Sequence, residues 1–305
     1  MPTRLEIQSE THKLAAEASD SVRRRYLKNL SAKTGRTTIV YASAFGMPKY
    51  GHVQNALSIS LQDIQAFMAA CVDTTGPNLD LILHSPGGSP EAAEQIVNYL
   101  RAKFTHIRAI VPQSAMSAAT MIACACDEIM MGKHSAIGPI DPQVMLPRPT
   151  GGLFLPAQSF LDEFKKATID IQANPASAAI WLDKMRELPP GFLTHCDKLI
   201  GGAKTTVERW LSQYMKLDPI KAAEVAGWLG TSSNHFSHGR PISCKDAGDR
   251  GLKVTELEAD SELQDLVLSV YHSIIVTFEM TPCGKLVENN SGKGLFFQFQ
   301  PPQMR

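Results

Sequence analysis

The strongest constraint in this chain lies between residues 79 and 112. The apolar run LDLILH at 79 to 84 meets the turn Ser85-Pro86-Gly87-Gly88-Ser89-Pro90, an amphipathic stretch EAAEQIVNYLRAKF follows, and a second apolar run, IRAIVP, closes the unit at 107 to 112. Strand, helix and strand in that order imply two parallel strands joined by a right-handed crossover, because parallel neighbours cannot be linked by a tight hairpin. The chain is thereby committed to a largely parallel sheet covered by helices. The same alternation recurs on both sides. TTIVYAS at 37 to 43 is β-branched and reads as a buried strand, and SLQDIQAFMAACVDT at 60 to 74 has helical spacing with Ser60 placed to cap it. Downstream, 114 to 126 reads as a helix of small residues, 127 to 132 as a short strand, and HSAIGPIDPQV as a loop broken by Gly and Pro.

Beyond Pro147 the pattern changes. PRPTGGLFLPAQ reads as loop, and helices are expected over 158 to 168, 175 to 187, 200 to 216 and 219 to 229. Residues 239 to 254 have the turn, helix, Gly and strand pattern that returns a chain to a sheet, a helix is expected near 261 to 279, and KLVENNSGKGLFFQFQ reads as a hairpin around Asn290 to Gly294. The expected organisation is an N-terminal helical arm at 1–36, solvated or in contact with another subunit, then a catalytic α/β domain at 37–255 with a helical insertion at 158–229. A C-terminal helix and tail would occupy 256–305. Thirty basic residues balance thirty acidic ones, which argues against a nucleic-acid binder. Apolar runs are too short to span a bilayer, and the opening stretch lacks a signal-peptide core, so cytoplasmic residence is the expectation. Six cysteines without C-x-x-C spacing suit reduced thiols, several of them in the core, better than a zinc or redox site.

Two segments can carry chemistry. The turn His84 to Pro90 holds consecutive glycines, which let the backbone approach a ligand and aim N–H groups at an anion; it lacks the spacing of a phosphate loop. The stretch Gln113 to Met121 places Ser117 near a helix N-terminus, where unpaired amides favour developing negative charge. Either alone suits an ordinary turn or a close-packed helix. One crossover unit separates them, so adjacent parallel strands bring both to the same sheet edge.

Strand-SPGG-helix, then strand-x-x-S-A-M-S-A-A, then D-E-I-x-M-x-x-x-S-x-I-G-P, resembles the Clp-protease/crotonase superfamily, near signal peptide peptidase A and the NfeD-type serine peptidases. The closest likeness is to the serine dehydrogenase proteinase family, carried by I-G-P-I-D-P-Q at Ile137 to Gln143, by His238 to Ile242, and by Gly251-Leu252. The resemblance implies a spiral of β-β-α units and a serine endopeptidase acting on peptides or proteins. Ser117 would be the nucleophile, and the oxyanion hole would use the N–H of Ala118 with that of Gly87 or Gly88. It also implies assembly into a homo-oligomer, and no metal or organic cofactor.

A serine needs a base. Related peptidases use a lysine kept neutral by burial or a histidine oriented by a carboxylate. The position that holds the NfeD-type lysine is here Ala157-Gln158-Ser159, which leaves Lys165 and Lys166 as the nearest downstream lysines. The Clp-type histidine falls near Ile140 or Asp141 and the Clp-type aspartate near Gly239, beside His238. Lys166, Lys165 and His238 are thus the candidate bases, with Asp141 and His134 able to orient one. His84 could face the cleft or bond backbone at its strand end, and His235 with His238 could cap a loop or hold a metal weakly. Two other functions stay open on the same fold: a catalytically silent assembly or interaction subunit, and an acyl-CoA-binding enzyme of crotonase type. Against the latter, crotonases usually place glycine where this chain has Ser-Ala-Met-Ser-Ala-Ala.

Overall fold

Five parallel strands and a buried antiparallel hairpin form the centre of the molecule. The computed structural model describes residues 3–13, 19–148 and 151–299. In chain order the elements are helix α1 (Arg4–Lys13), α2 (Ser19–Thr34), strand β1 (Thr37–Ser43), α3 (Asp63–Ala70), β2 (Asn78–His84), α4 (Pro90–Lys103), β3 (His106–Val111), β4 (Ser114–Ala115), α5 (Ala118–Cys124), β5 (Glu128–Met131), β6 (Ala136–Ile137), β7 (Gln143–Arg148), β8 (Gly151–Pro156), α6 (Ala157–Ala173), α7 (Ala178–Arg186), α8 (Phe192–Gln213), α9 (Pro219–Leu229), α10 (Cys244–Arg250), β9 (Val254–Glu256), α11 (Ser261–Met280), β10 (Cys283–Asn289) and β11 (Gly294–Gln298).

The main sheet runs β11-β10-β1-β2-β3-β5-β9. Strands β1, β2, β3, β5 and β9 are parallel, whereas β10 is antiparallel to β1 and to β11. Alternation along each strand divides the core. Ile39, Tyr41, Leu81, Leu83, Ala109 and Ile129 face one layer that includes α3, α4, α5, α8 and α9, and Val40, Ala42, Ile82 and Ile110 face α2 and α11. Period-two burial on both faces explains why these strands read as continuous apolar runs. Helix α4 starts where its sequence says it should. Ser89 caps it by accepting the Ala92 N–H at 3.1 Å, Pro90 occupies the first turn, and Ala92, Ala93, Ile96, Val97 and Leu100 make one buried face.

A second, much shorter layer crosses the ends of the parallel strands, and it positions the site. Ile59 pairs with Gly88, Ser85 with Ala115, β4 with β6, and Ile137 with Ile242. Each rung joins one segment that the sequence flagged to the next. β4 and β6 each follow directly on a strand of the main sheet, and β3, β4 and α5 in succession make a β-β-α unit.

Three expectations are corrected. The segment around Pro147 is not loop: β7 and β8 form an antiparallel hairpin from Gln143↔Pro156 to Arg148↔Gly151. Residues 149 and 150 of that segment lie outside the described residues. Val144, Leu146 and Leu155 rest on Phe160, Cys196 and Ile200 of α6 and α8, a satellite core whose alternating apolar positions the Pro and Gly content obscured. The small-residue helix expected from 114 starts only at Ala118, because Ser114 and Ala115 are held as strand β4. The N-terminal region, read as a solvated or subunit-contacting arm, holds two helices, and Val22, Leu27 and Leu30 of α2 are buried. Arg23, fully buried, pairs with the equally buried Glu288 of β10 at 2.7 Å. Lysine and arginine clusters normally mark a wet face, so sequence could not anticipate a buried arginine whose partner is 265 positions away.

Candidate active site

Ser117 sits at the tip between β4 and α5 with φ 53° and ψ −119°, a backbone conformation that residues with a side chain rarely adopt. Such a residue persists only where the surroundings enforce it. Ala115 is locked by its bridges to Ser85 and Ile137, and the Met116 N–H donates to the Ser85 carbonyl at 2.9 Å. On the helix side, the Thr120 hydroxyl donates to the Ala115 carbonyl at 2.7 Å. Ser117 is half-buried, and its hydroxyl has no hydrogen-bond partner among the described residues.

The glycine turn presses against it. A Cβ on Gly87 would lie 2.6 Å from the Ser117 Cβ and 2.5 Å from the Met116 carbonyl oxygen. One on Gly88 would lie 2.4 Å from the backbone of Ile59. Both have positive φ, 93° and 148°, so glycine is needed twice over, for conformation and for clearance. The amide inventory separates the two. Gly87 N–H donates to Ser85 Oγ at 3.2 Å and the Gly87 carbonyl accepts from Ile59 N–H at 2.7 Å. Neither Gly88 N–H nor Ala118 N–H donates to any group among the described residues. Two amides are thus unengaged, one in the glycine turn and one directly after Ser117.

The next rung brings in the loop after β6. Gly138 packs so tightly on Met116 that a Cβ there would lie 2.6 Å from the Met116 Cε, and its N–H donates to Thr120 Oγ1 at 2.9 Å. Ile137 pairs antiparallel with Ile242. Moving four residues on from Ile137 and four back from Ile242 matches Asp141 with His238, and these two side chains meet. His238 Nδ1 lies 2.8 Å from Asp141 Oδ1, and Asp141 Oδ2 accepts from Gln143 Nε2 at 2.9 Å. Asp141 is 3% exposed and His238 27%, so the carboxylate is enclosed while the imidazole reaches solvent. In a neutral imidazole, a carboxylate beside Nδ1 favours the tautomer with the proton on Nδ1, which makes Nε2 the acceptor.

The other flagged residues fall elsewhere. Lys165 and Lys166 lie on α6 with exposed side chains, so neither has the burial that keeps a lysine neutral. His84 is buried between the rings of Phe45 and Tyr271, 4.7 and 5.1 Å away, on the sheet face that packs on α11. Burial pushes its imidazole down to about 4, so it stays neutral. His235 bonds the Trp228 carbonyl at 2.8 Å, and His134 the Pro112 carbonyl at 3.0 Å. No cluster of three or more metal-ligating side chains occurs among the described residues. All six cysteines are free and buried; burial pushes Cys126 up to about 12 and Cys124 higher still, as suits packing groups. Sequence reasoning missed Gln143, which steadies Asp141, and Thr120, which ties Ala115 to Gly138.

A parallel sheet whose strand ends carry a second short layer, with a serine, a glycine turn and free amides at one edge, defines a Clp-like serine proteinase architecture. The chain belongs to the family of ClpP-like SDH-type serine proteinases, whose sequence profile matches residues 12–174. Its fold is accordingly the α/β Clp/crotonase-like class. Two relatives come from Methanocaldococcus jannaschii. Uncharacterized protein MJ0137 is 38% identical over 128 residues, 40% of this chain and 43% of that protein. Uncharacterized protein MJ1495 is 46% identical over 66 residues, 22% of this chain and 23% of that protein. The chain thus matches less than half the length of either relative. Among solved structures, a mutant of the 1510-N membrane-bound stomatin-specific protease aligns over 68% of this chain and 79% of its own, at 16% identity and a TM-score of 0.41. No helix among the described residues is long and apolar enough to cross a membrane.

Proposed function

We propose that this chain is a serine peptidase in which Ser117 attacks the peptide carbonyl and His238, oriented by Asp141, takes the hydroxyl proton at Nε2. The amides of Gly88 and Ala118 then receive the oxyanion, with Gly87 supplying the clearance that lets the turn approach. The observation that carries this reading is the pairing of a serine held at φ 53° with a glycine whose missing side chain would strike the Ser117 Cβ. Preorganised amides aimed at developing charge are the largest single contribution in acyl transfer, because they need no reorganisation when the charge appears. His238 is favoured over Lys165 and Lys166 by its burial and its carboxylate partner. Asp141 lies near the place that the Clp-type resemblance gives to a histidine, and His238 beside the place it gives to an aspartate.

As the tetrahedral intermediate collapses, His238 gives its proton to the leaving amine and the acyl group stays on Ser117; His238 then deprotonates a water that attacks this ester, and Ser117 takes the proton back as the acid leaves. Exposed apolar side chains on the β7–β8 hairpin and α6, Met145, Leu153, Phe154 and Phe164, support the expectation of a homo-oligomer. Cytoplasmic residence and peptide or protein substrates complete the proposal. The test is labelling with a fluorescent fluorophosphonate followed by peptide mapping. The adduct is expected on Ser117 and absent from Ser117→Ala. Unlabelled wild type that also leaves a peptide panel uncut favours a silent assembly subunit instead.

A further inference from the structure

A chain of buried polar groups runs from β10 to the glycine turn, and the mechanism above does not use it. Lys285, 2% exposed, places its ammonium 2.7 Å from Asp63 Oδ1 and donates to the Ser58 carbonyl at 3.1 Å. Asp63, on α3 and fully buried, accepts the Tyr41 hydroxyl at 2.8 Å and the Ser60 N–H at 2.9 Å, both on Oδ2. Asp63 thereby gathers the Lys285 ammonium, the Tyr41 hydroxyl and the Ser60 N–H around one buried carboxylate. Ser85, next in the chain after β2, accepts the Gly87 N–H on its Oγ at 3.2 Å.

The network reaches the turn through the segment that precedes α3. Lys285 and Asp63 hold Ser58 and Ser60, and the residue between them, Ile59, donates to the Gly87 carbonyl and accepts the Ser89 N–H at 3.0 Å. Both polar groups of Gly87 are therefore engaged, one through Ser85 and one through Ile59. Gly88 is left with its amide unpaired, one residue after the glycine that abuts Ser117. An interior needing only stability would be served as well by apolar residues, since a buried ion pair seldom stabilises more than the hydrocarbon that could replace it.

We propose that Tyr41, Asp63 and Lys285 are positioning residues that fix the Gly87–Gly88 turn so that the Gly88 amide meets the oxyanion formed at Ser117. The inference rests on the peptidase reading and adds to it a requirement for the C-terminal strand β10. It is tested on the whole chain by the rate and the final extent of labelling with a fluorescent fluorophosphonate, in wild type and Tyr41→Phe. Tyr41→Phe removes one oxygen and leaves Asp63 paired with Lys285, so it should fold. Its labelling is expected to be about tenfold slower, a fraction of the loss seen when an oxyanion donor is deleted outright. The final stoichiometry and the pH midpoint should match wild type. Amide exchange should accelerate at residues 85–89 in Tyr41→Phe. A Tyr41→Phe rate within twofold of wild type, or a reduced labelled fraction at unchanged rate, would each overturn the inference. Wild type that takes no label on Ser117 sinks the peptidase reading with it; labelled wild type beside an unslowed Tyr41→Phe sinks this inference alone.

Discussion

The two halves of the candidate site are built in different ways. The proposed nucleophile half, Gly87, Gly88, Ser117 and Ala118, follows the ends of β2 and β4 and is fixed by steric necessity, with two glycines against backbone and a serine at positive φ. The base half, Asp141 and His238, hangs on two loops joined by one antiparallel bridge and one imidazole–carboxylate contact across 97 positions of sequence. A site can thus be rigid where charge develops and looser where a proton is carried. That division suits the chemistry, because oxyanion stabilisation depends steeply on geometry, whereas catalytic proton-transfer contacts often tighten only once substrate is bound.

The largest effect tests the rigid half. Ser117→Ala should lower peptide cleavage by about 10⁶-fold while its unfolding midpoint stays near that of wild type, since alanine keeps the backbone and loses only the oxygen. Cleavage that survives would place the nucleophile elsewhere. For the proposed base half, His238→Gln should lower kcat by about 10³-fold. Asp141→Asn should lower it by a comparable factor, because the imidazole then loses the partner that fixes its tautomer. Rates within tenfold of wild type in both would break the comparison, since the base would then lie outside this pair.

A smaller effect probes whether the rigid half is dry. His84 ends β2 immediately before the glycine turn, and its pKa is lowered from 6.5 to about 4 by burial. The unfolded chain binds this proton and the folded one resists it, so His84 costs nothing above pH 6.5 and destabilises the fold progressively as pH falls towards 4. Between pH 7.5 and 4.5 the contribution is about 2 kcal/mol. Denaturant titrations at those two pH values should show a pH dependence smaller by that amount in His84→Phe than in wild type; identical pH dependences would mean that water reaches the strand end. The smallest effect concerns α6: Lys165→Ala combined with Lys166→Ala should leave kcat within twofold of wild type, and a large loss would move the base from His238 to the helical segment.

The same contrast explains what the sequence could disclose. Strand β1 lies where β-branched residues cluster, and β2 and β3 fall within a residue of their apolar runs, because a strand buried on both faces leaves that mark in composition. Gly87, Gly88 and Ser117 were legible because each answers a local demand of the backbone. The β7–β8 hairpin was hidden by its Pro and Gly content. The place of β10 against β1, and the burial of Lys285, Asp63, Arg23 and Glu288, were hidden because each charge is tolerated only by a partner distant in the chain. Asp141 and His238 were each flagged, but their contact depends on the Ile137↔Ile242 register, which no local pattern encodes.

The crystal structure of the wild-type chain carrying a phosphonate on Ser117 tests the central claim most directly. The account predicts the phosphonyl oxygen about 3 Å from both the Gly88 and the Ala118 nitrogens, with His238 Nε2 turned towards the modified serine. A phosphonyl oxygen that points to solvent and touches neither amide, or an adduct on a different side chain, would contradict it.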